Sequence, residues 1–217
     1  MDRKERLITI ANEVSGCAKC QLSLARKMAV PGEGPPDAEI LCIGEGPGFY
    51  ENEQGRPFVG AAGKFLDELL QNAGLKREQV FVTNVVKCRP PGNRDPLPEE
   101  LSACNLYLQR QIEIISPCVI VTLGRFSMAN FIPNVRISDV HGQARWIGGR
   151  LIVPMFHPAA ALHQPSLKRT VIDDFSRLPN YIAQARQNRD KIQPVQSPEV
   201  KEVARMEPDE ATQLSLF

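Results

Sequence analysis

The chain predicts an α/β fold in which a parallel sheet is covered on both faces by helices. Two observations carry this. Four short apolar runs, Glu39–Ile43, Val80–Val86, Cys118–Leu123 and Leu151–Met155, have the length of buried strands. Segments with helical spacing lie between and after them, at Ala61–Ala73, Pro98–Ile115, Arg125–Phe131 and Ser166–Arg186. Strand and helix in alternation is the pattern of a parallel sheet.

The first run is followed by Gly44-Glu-Gly-Pro-Gly48 and, after six residues, Gly55-Arg-Pro-Phe-Val-Gly-Ala-Ala-Gly63. This turn holds six glycines, two prolines, three carboxylates and a Phe58 that looks exposed. Glycines let backbone approach a ligand, and a loop of this length in a compact domain is uncommon unless functional. Lys64–Leu70 then has helical spacing. The second run leads into a Pro-rich stretch, Arg89–Pro96. Pro98 starts the next helix, with Glu99 and Glu100 in the first turn, where they suit its dipole. Beyond the last helix, Gln187–Thr212 is polar and rich in Pro, Gln and Glu, and reads as a disordered linker. The expected organisation is a catalytic body over 1–186 and a tail over 187–217.

Composition sets limits. The chain is long enough for one good core. No stretch approaches the length of a membrane span, and the charged start Met1–Arg6 leads to no signal-peptide core, so a cytoplasmic protein is expected. The formal charge is +1, but residues 190–217 hold six acids and three bases, leaving the body at +4. A mildly basic body is compatible with nucleic acid.

Chemistry-bearing residues gather at the ends of the runs. Gly44–Gly48, Asn84, Gly124 and His157 each fall at or just past the C-terminal end of a predicted strand. In a parallel sheet those ends share one edge, so the four segments converge on one cleft. The cysteines form a second pattern. Cys17 and Cys20 are a C-x2-C pair, and Cys88 and Cys104 bracket the Pro-rich stretch. In a cytosolic chain, two pairs of thiolates suit a tetrahedral zinc site or an iron–sulfur cluster, and spacing does not choose between them. Cys42 and Cys118 lie inside predicted strands and read as small buried apolar residues.

Taken together, Gly44–Gly48, Gly55–Gly60, Thr83-Asn-Val-Val-Lys-Cys-Arg-Pro-Pro91, Asn93–Glu99 and Met155–Pro158 resemble the motifs of family 4 uracil-DNA glycosylases, in order and with the cysteine spacing. The resemblance implies a three-layer α/β/α sandwich around a four-stranded parallel sheet. It implies a [4Fe-4S] cluster on Cys17, Cys20, Cys88 and Cys104. It also implies hydrolysis of the base–sugar bond of uracil in single- or double-stranded DNA, leaving an abasic site.

The residues suit that role. A flipped uracil can stack on Phe58 while Asn84 reads its Watson–Crick edge; cytosine presents the reverse donor and acceptor there. His157 can donate to the uracil O2 as charge develops on it. Gly44, Glu45 and Gly46 line the uracil site by resemblance, and Glu51 stands in the pocket wall or orients water. Arg89 and Arg94 are candidate phosphate contacts, and Leu162 is a candidate wedge for the gap left by the flipped base. The sequence also departs from its relatives. Glu45-Gly-Pro47 stands where family 1 enzymes carry a water-orienting aspartate. Asn52 replaces a common aspartate, and Phe49-Tyr50 replaces a commonly acidic pair. The basic insert of covalent uracil-binding relatives has no counterpart here, so a turning-over enzyme is expected; a monomer is expected as well. Finally, Gln213-Leu-Ser-Leu-Phe217 resembles the motif that binds bacterial sliding clamps.

Overall fold

The computed structural model describes residues 1–188; the clamp-like motif Gln213–Phe217 and the rest of the expected tail past residue 188 lie outside the described residues. Helices α1 (Arg3–Ser15) and α2 (Leu22–Ala25) precede β1 (Ile40–Gly44). Then come α3 (Phe49–Gln54), α4 (Ala61–Asn72), β2 (Val80–Asn84), α5 (Pro98–Ile115) and β3 (Val119–Leu123). The chain continues through α6 (Arg125–Ala129), α7 (Ile137–Val140), β4 (Arg145–Ile147) and β5 (Arg150–Met155) to α8 (Pro158–His163), α9 (Leu167–Phe175) and α10 (Leu178–Arg186). Among the described residues no helix is long and apolar enough to cross a membrane.

The strands are ordered β2-β1-β3-β5-β4. The first four are parallel, and β4 joins β5 antiparallel. Alternate side chains enter two cores, which is why each run is apolar throughout. Ile40, Cys42, Val80, Val82, Val119 and Val121 meet Leu66, Leu69 and Leu70 of α4 and Phe175 of α9 on one face. Leu41, Ile43, Phe81 and Ile120 meet Leu108, Ile112 and Ile115 of α5 on the other. A third, smaller core sets Ile10 and Val14 of α1 and Leu22 of α2 against Cys88, Cys104 and Tyr107.

Three expectations need correction. The sheet has five strands rather than four. Strand β4 is three residues long with exposed side chains, so it carries no burial pattern; it is turned back by Gly148 and Gly149, both at positive φ. The expected last helix, Ser166–Arg186, is two helices, because Pro179 in the first turn of α10 lacks an N–H and its ring would crowd the carbonyl four residues back. The turn between Gly44 and Gly63 is not a continuous loop: it contains α3, stopped by Gly55 in the left-handed region.

β1 lies between β2 and β3, so the connections leave it in opposite directions. That makes the C-terminal edge between β1 and β3 the switch point where open α/β sheets open a ligand crevice.

Candidate active site and cysteine cluster

Three side chains meet at that edge. Asn84 ends β2 and is 1% exposed. Its position is held on the main chain: Val85 N–H donates to the Gly44 carbonyl (3.0 Å), Val86 N–H to that of Glu45 (3.1 Å), and the Lys87 ammonium to that of Asn84 itself (2.8 Å). Yet the Asn84 side-chain oxygen Oδ1 is buried with no hydrogen-bond partner. A native chain rarely leaves such an acceptor unmet unless something else is meant to meet it.

Phe58, read from the sequence as exposed, is buried and sits at φ +54°. The cause is Glu51 of α3, whose Oε1 accepts from the N–H groups of both Val59 and Gly60 at 2.8 Å. That carboxylate tightens the chain just after Phe58 and brings its ring over Gly44. A Cβ at Gly44 would come within 2.6 Å of the Phe58 Cζ and run into Asn84 Oδ1, so only glycine fits between them. Glu51 therefore fixes the Phe58 ring beside Gly44 and Asn84.

His157 caps the start of α8, and its ring lies near-parallel to Phe58 at 5.6 Å between centroids. The Ala159 N–H donates to His157 Nδ1 at 3.1 Å. Nδ1 is thus the acceptor, which leaves the proton on Nε2. Burial pushes the imidazolium pKa down to about 4, so near pH 7 the ring is a neutral donor.

Glu45 stands beside these groups, and its carboxyl is pushed up to about 7. Burial is the main cause and the Asp95 charge adds to it, while Arg125 opposes. Asp95, in the Pro-rich stretch, pairs with Arg125 at the start of α6. Of the candidate DNA contacts, Arg89 donates from Nε to Asn93 (2.8 Å), and Leu162 is 44% exposed on α8. Arg94 is held by Glu100, itself 1% exposed, through a two-pronged ion pair at 2.6 and 2.9 Å. Its guanidinium thus braces the stretch while its side chain stays 38% exposed.

The cysteines separate as their positions suggested. Cys42 is buried in β1 and Cys118 is buried just before β3 rather than in it, and burial pushes the Cys42 thiol up to about 12. Cys17 and Cys20 pack against the small core that contains Cys88 and Cys104. All six are free thiols. Burial pushes both the Cys88 and Cys104 thiols up, Cys104 to about 11, and two donors oppose it: Arg26 Nη1 to Cys88 Sγ (3.1 Å) and the Lys87 N–H to Cys104 Sγ (3.3 Å). Among the described residues no three His, Cys, Asp or Glu side chains close around a single ion. The four thiols have the donor chemistry of a zinc site and of an iron–sulfur cluster alike.

Sequence reasoning missed Lys87. Its ammonium is fully buried, donating to Thr83 Oγ1 (2.5 Å), the Asn84 carbonyl and Gln111 Oε1 (2.7 Å), and burial lowers its pKa to about 8. It links Asn84, through its ammonium, to Cys104, through its backbone N–H. The sequence signal was only its position between Asn84 and Cys88; Gln111, on α5, is distant in the chain.

Comparison with known proteins shows the family. The model of the uracil DNA glycosylase superfamily matches residues 31–176. The type-4 uracil-DNA glycosylase of Sulfurisphaera tokodaii is 48% identical over 188 residues, covering 82% of this chain and 84% of its own length. That of Thermotoga maritima is 45% identical, covering 83% and 96%, and that of Archaeoglobus fulgidus 47%, covering 80% and 92%.

Proposed function

This chain belongs to the uracil DNA glycosylase superfamily, beside its type-4 members, and from that premise we propose that it excises uracil from DNA by hydrolysing the N-glycosidic bond, the first step of base excision repair. The observation that carries the reading is the buried, unpartnered Asn84 Oδ1 beside the Phe58 and His157 rings.

In this reading the uracil leaves the stack and lies against Phe58. Asn84 Oδ1 accepts from uracil N3–H, and its amide N–H donates to O4. Cytosine offers an acceptor and a donor at the same places, so the fixed amide refuses it. His157, neutral and protonated on Nε2, donates to O2 as the bond to the sugar breaks and charge builds on the base. A neutral imidazole does this without first binding a proton. Glu45, with its pKa near 7, accepts a proton from the attacking water. Glu51 is the weaker candidate for that step, because its Oε1 is already committed to two N–H groups.

Cys17, Cys20, Cys88 and Cys104 would hold a [4Fe-4S] cluster, whose thiolate–iron bonds supply cross-links between chain segments. The segment between the second pair, braced by Arg94 and Glu100, brings Asp95 and Arg89 to the pocket rim. Arg89, Arg94 and Leu162 are the DNA contacts in this reading. Gln213–Phe217 would tether the enzyme to a sliding clamp.

The test is excision from three oligonucleotides that differ only in carrying uracil, cytosine or thymine, followed by alkali cleavage at abasic sites. Cleavage confined to the uracil strand supports the reading. No cleavage, or equal cleavage of the cytosine strand, sinks it.

A further inference from the structure

Aromatic side chains usually bury most of their surface, and an exposed pair without a core to serve points to something that binds there. Phe49 and Tyr50, the first two residues of α3, are 52% and 59% exposed. They contact each other edge-to-face, with ring centroids 5.4 Å apart at 83°. The next two residues, Glu51 and Asn52, turn inward and are buried, so α3 divides into a polar inner side and an aromatic outer one. The Arg89 guanidinium lies over the Phe49 ring at 5.4 Å, and its Nε is steadied by Asn93. Tyr50 rests against Gly60, its Cδ2 3.5 Å from where a side chain would begin there.

In the excision reading the patch adjoins the uracil site: Tyr50 and the Glu51 carboxylate that holds Phe58 both lie against Gly60. Phe49 follows directly on Gly44–Gly48, and Gly60 is two residues from Phe58. Arg89 comes from the stretch between the second pair of cysteines. A flat aromatic surface carrying one cation, at the lip of a base-binding pocket, matches the chemistry of an unpaired nucleotide, with a π-face for the rings and a phosphate for the guanidinium.

We propose that Phe49 and Tyr50, with Arg89, form a platform on which the base next to the target uracil stacks when the DNA is single-stranded, and that this platform makes single strands the preferred substrate. The proposal rests on the reading of DNA as substrate given above. In a duplex the neighbouring base stays paired and stacked within the helix, so the platform has nothing to receive. In a single strand that base is free to splay outward onto the rings. Sequence specificity is not expected, because every base has a π-face.

The test uses the full chain and two variants, Phe49→Ala/Tyr50→Ala and the aromatic-retaining Phe49→Trp/Tyr50→Phe. Substrates are a single-stranded uracil oligonucleotide, its duplex, and a single strand in which the nucleotides flanking uracil are abasic spacers. The alanine pair should lower kcat/KM on the plain single strand roughly tenfold, change the duplex by less than about twofold, and add nothing to the loss that spacers alone cause. The aromatic-retaining pair should keep wild-type preference. Equal losses on single strand and duplex, full additivity with the spacers, or no loss at all would overturn the platform. The same comparison is read by fluorescence anisotropy on strands carrying 2′-fluoro-deoxyuridine, whose glycosidic bond resists hydrolysis. A protein that excises no uracil but still distinguishes flanking bases from spacers through Phe49 and Tyr50 would defeat the excision reading and leave the platform standing. Both ring systems are exposed, so their removal should not unfold the chain.

Discussion

Asn84 gives the clearest contrast between a residue kept for function and one kept for stability. Asn84→Leu retains the approximate volume of a side chain that is 1% exposed and removes a buried oxygen with no hydrogen-bond partner. An unmet buried acceptor costs about 1–3 kcal/mol, so the substitution should return part of that. In a chain of this size each kcal/mol moves the melting temperature by about 2–4 °C, so a rise of roughly 2–8 °C is expected, at the lower end if a water caps the oxygen in the free enzyme. Activity should move the other way. An amide reading a base edge through two hydrogen bonds contributes about 1–3 kcal/mol of discrimination, so kcat/KM for uracil should fall roughly 5- to 150-fold. The assay pairs thermal unfolding at a fixed scan rate with single-turnover excision from one oligonucleotide. A variant that melts several degrees lower and still excises at the wild-type rate would refute the argument, since Asn84 would then be holding the sheet edge together rather than waiting for a base.

Other expectations follow from the same geometry. Glu45 must be ionised to take a proton, so excision should decline about tenfold per pH unit below roughly pH 7. Asp95→Asn removes a like charge and should move that limb to lower pH, whereas Arg125→Gln should move it higher; a limb that neither change displaces would exclude Glu45 as the base. Cys88→Ala should lose bound iron and the associated visible absorption, while Cys42→Ala, altering a strand interior, should retain both; equal iron in the two variants, or stoichiometric zinc with no iron in anaerobically purified wild type, would contradict the cluster assignment. Removal of residues 213–217 should abolish micromolar binding to a bacterial sliding clamp and leave excision from short oligonucleotides unchanged; the same clamp affinity with and without them would dispose of the tether.

Much of this molecule was legible in the sequence, for identifiable reasons. The parallel strands announce themselves because both faces of Ile40–Gly44, Val80–Asn84 and Val119–Leu123 are buried, which demands unbroken apolar runs. The long helix Pro98–Ile115 was legible to both ends, with proline at its start and a left-handed Ser116 at its close. Gly44, Asn84 and His157 could be gathered at one edge because parallel strands share that edge. Other features depend on contacts that no local pattern encodes. Phe58 is buried because a carboxylate seven residues earlier bonds the two N–H groups after it. The pairing of Arg94 with the buried Glu100 has no local signal, and the burial of Lys87 requires Gln111 from another layer. Strand β4 lacked any burial signal, although the Gly148-Gly149 turn that makes it was there to be read. The break before α10 was likewise written in Pro179.

The most direct test of the central claim is the single-turnover rate of uracil release by wild type and His157→Ala, measured as free base alongside alkali-labile sites, with binding to the 2′-fluoro-deoxyuridine oligonucleotide measured in parallel. The account predicts stoichiometric uracil from wild type, a rate lower by roughly a hundredfold or more from the variant, and nearly equal binding by both. Equal rates from the two proteins, or no uracil from wild type, would contradict it.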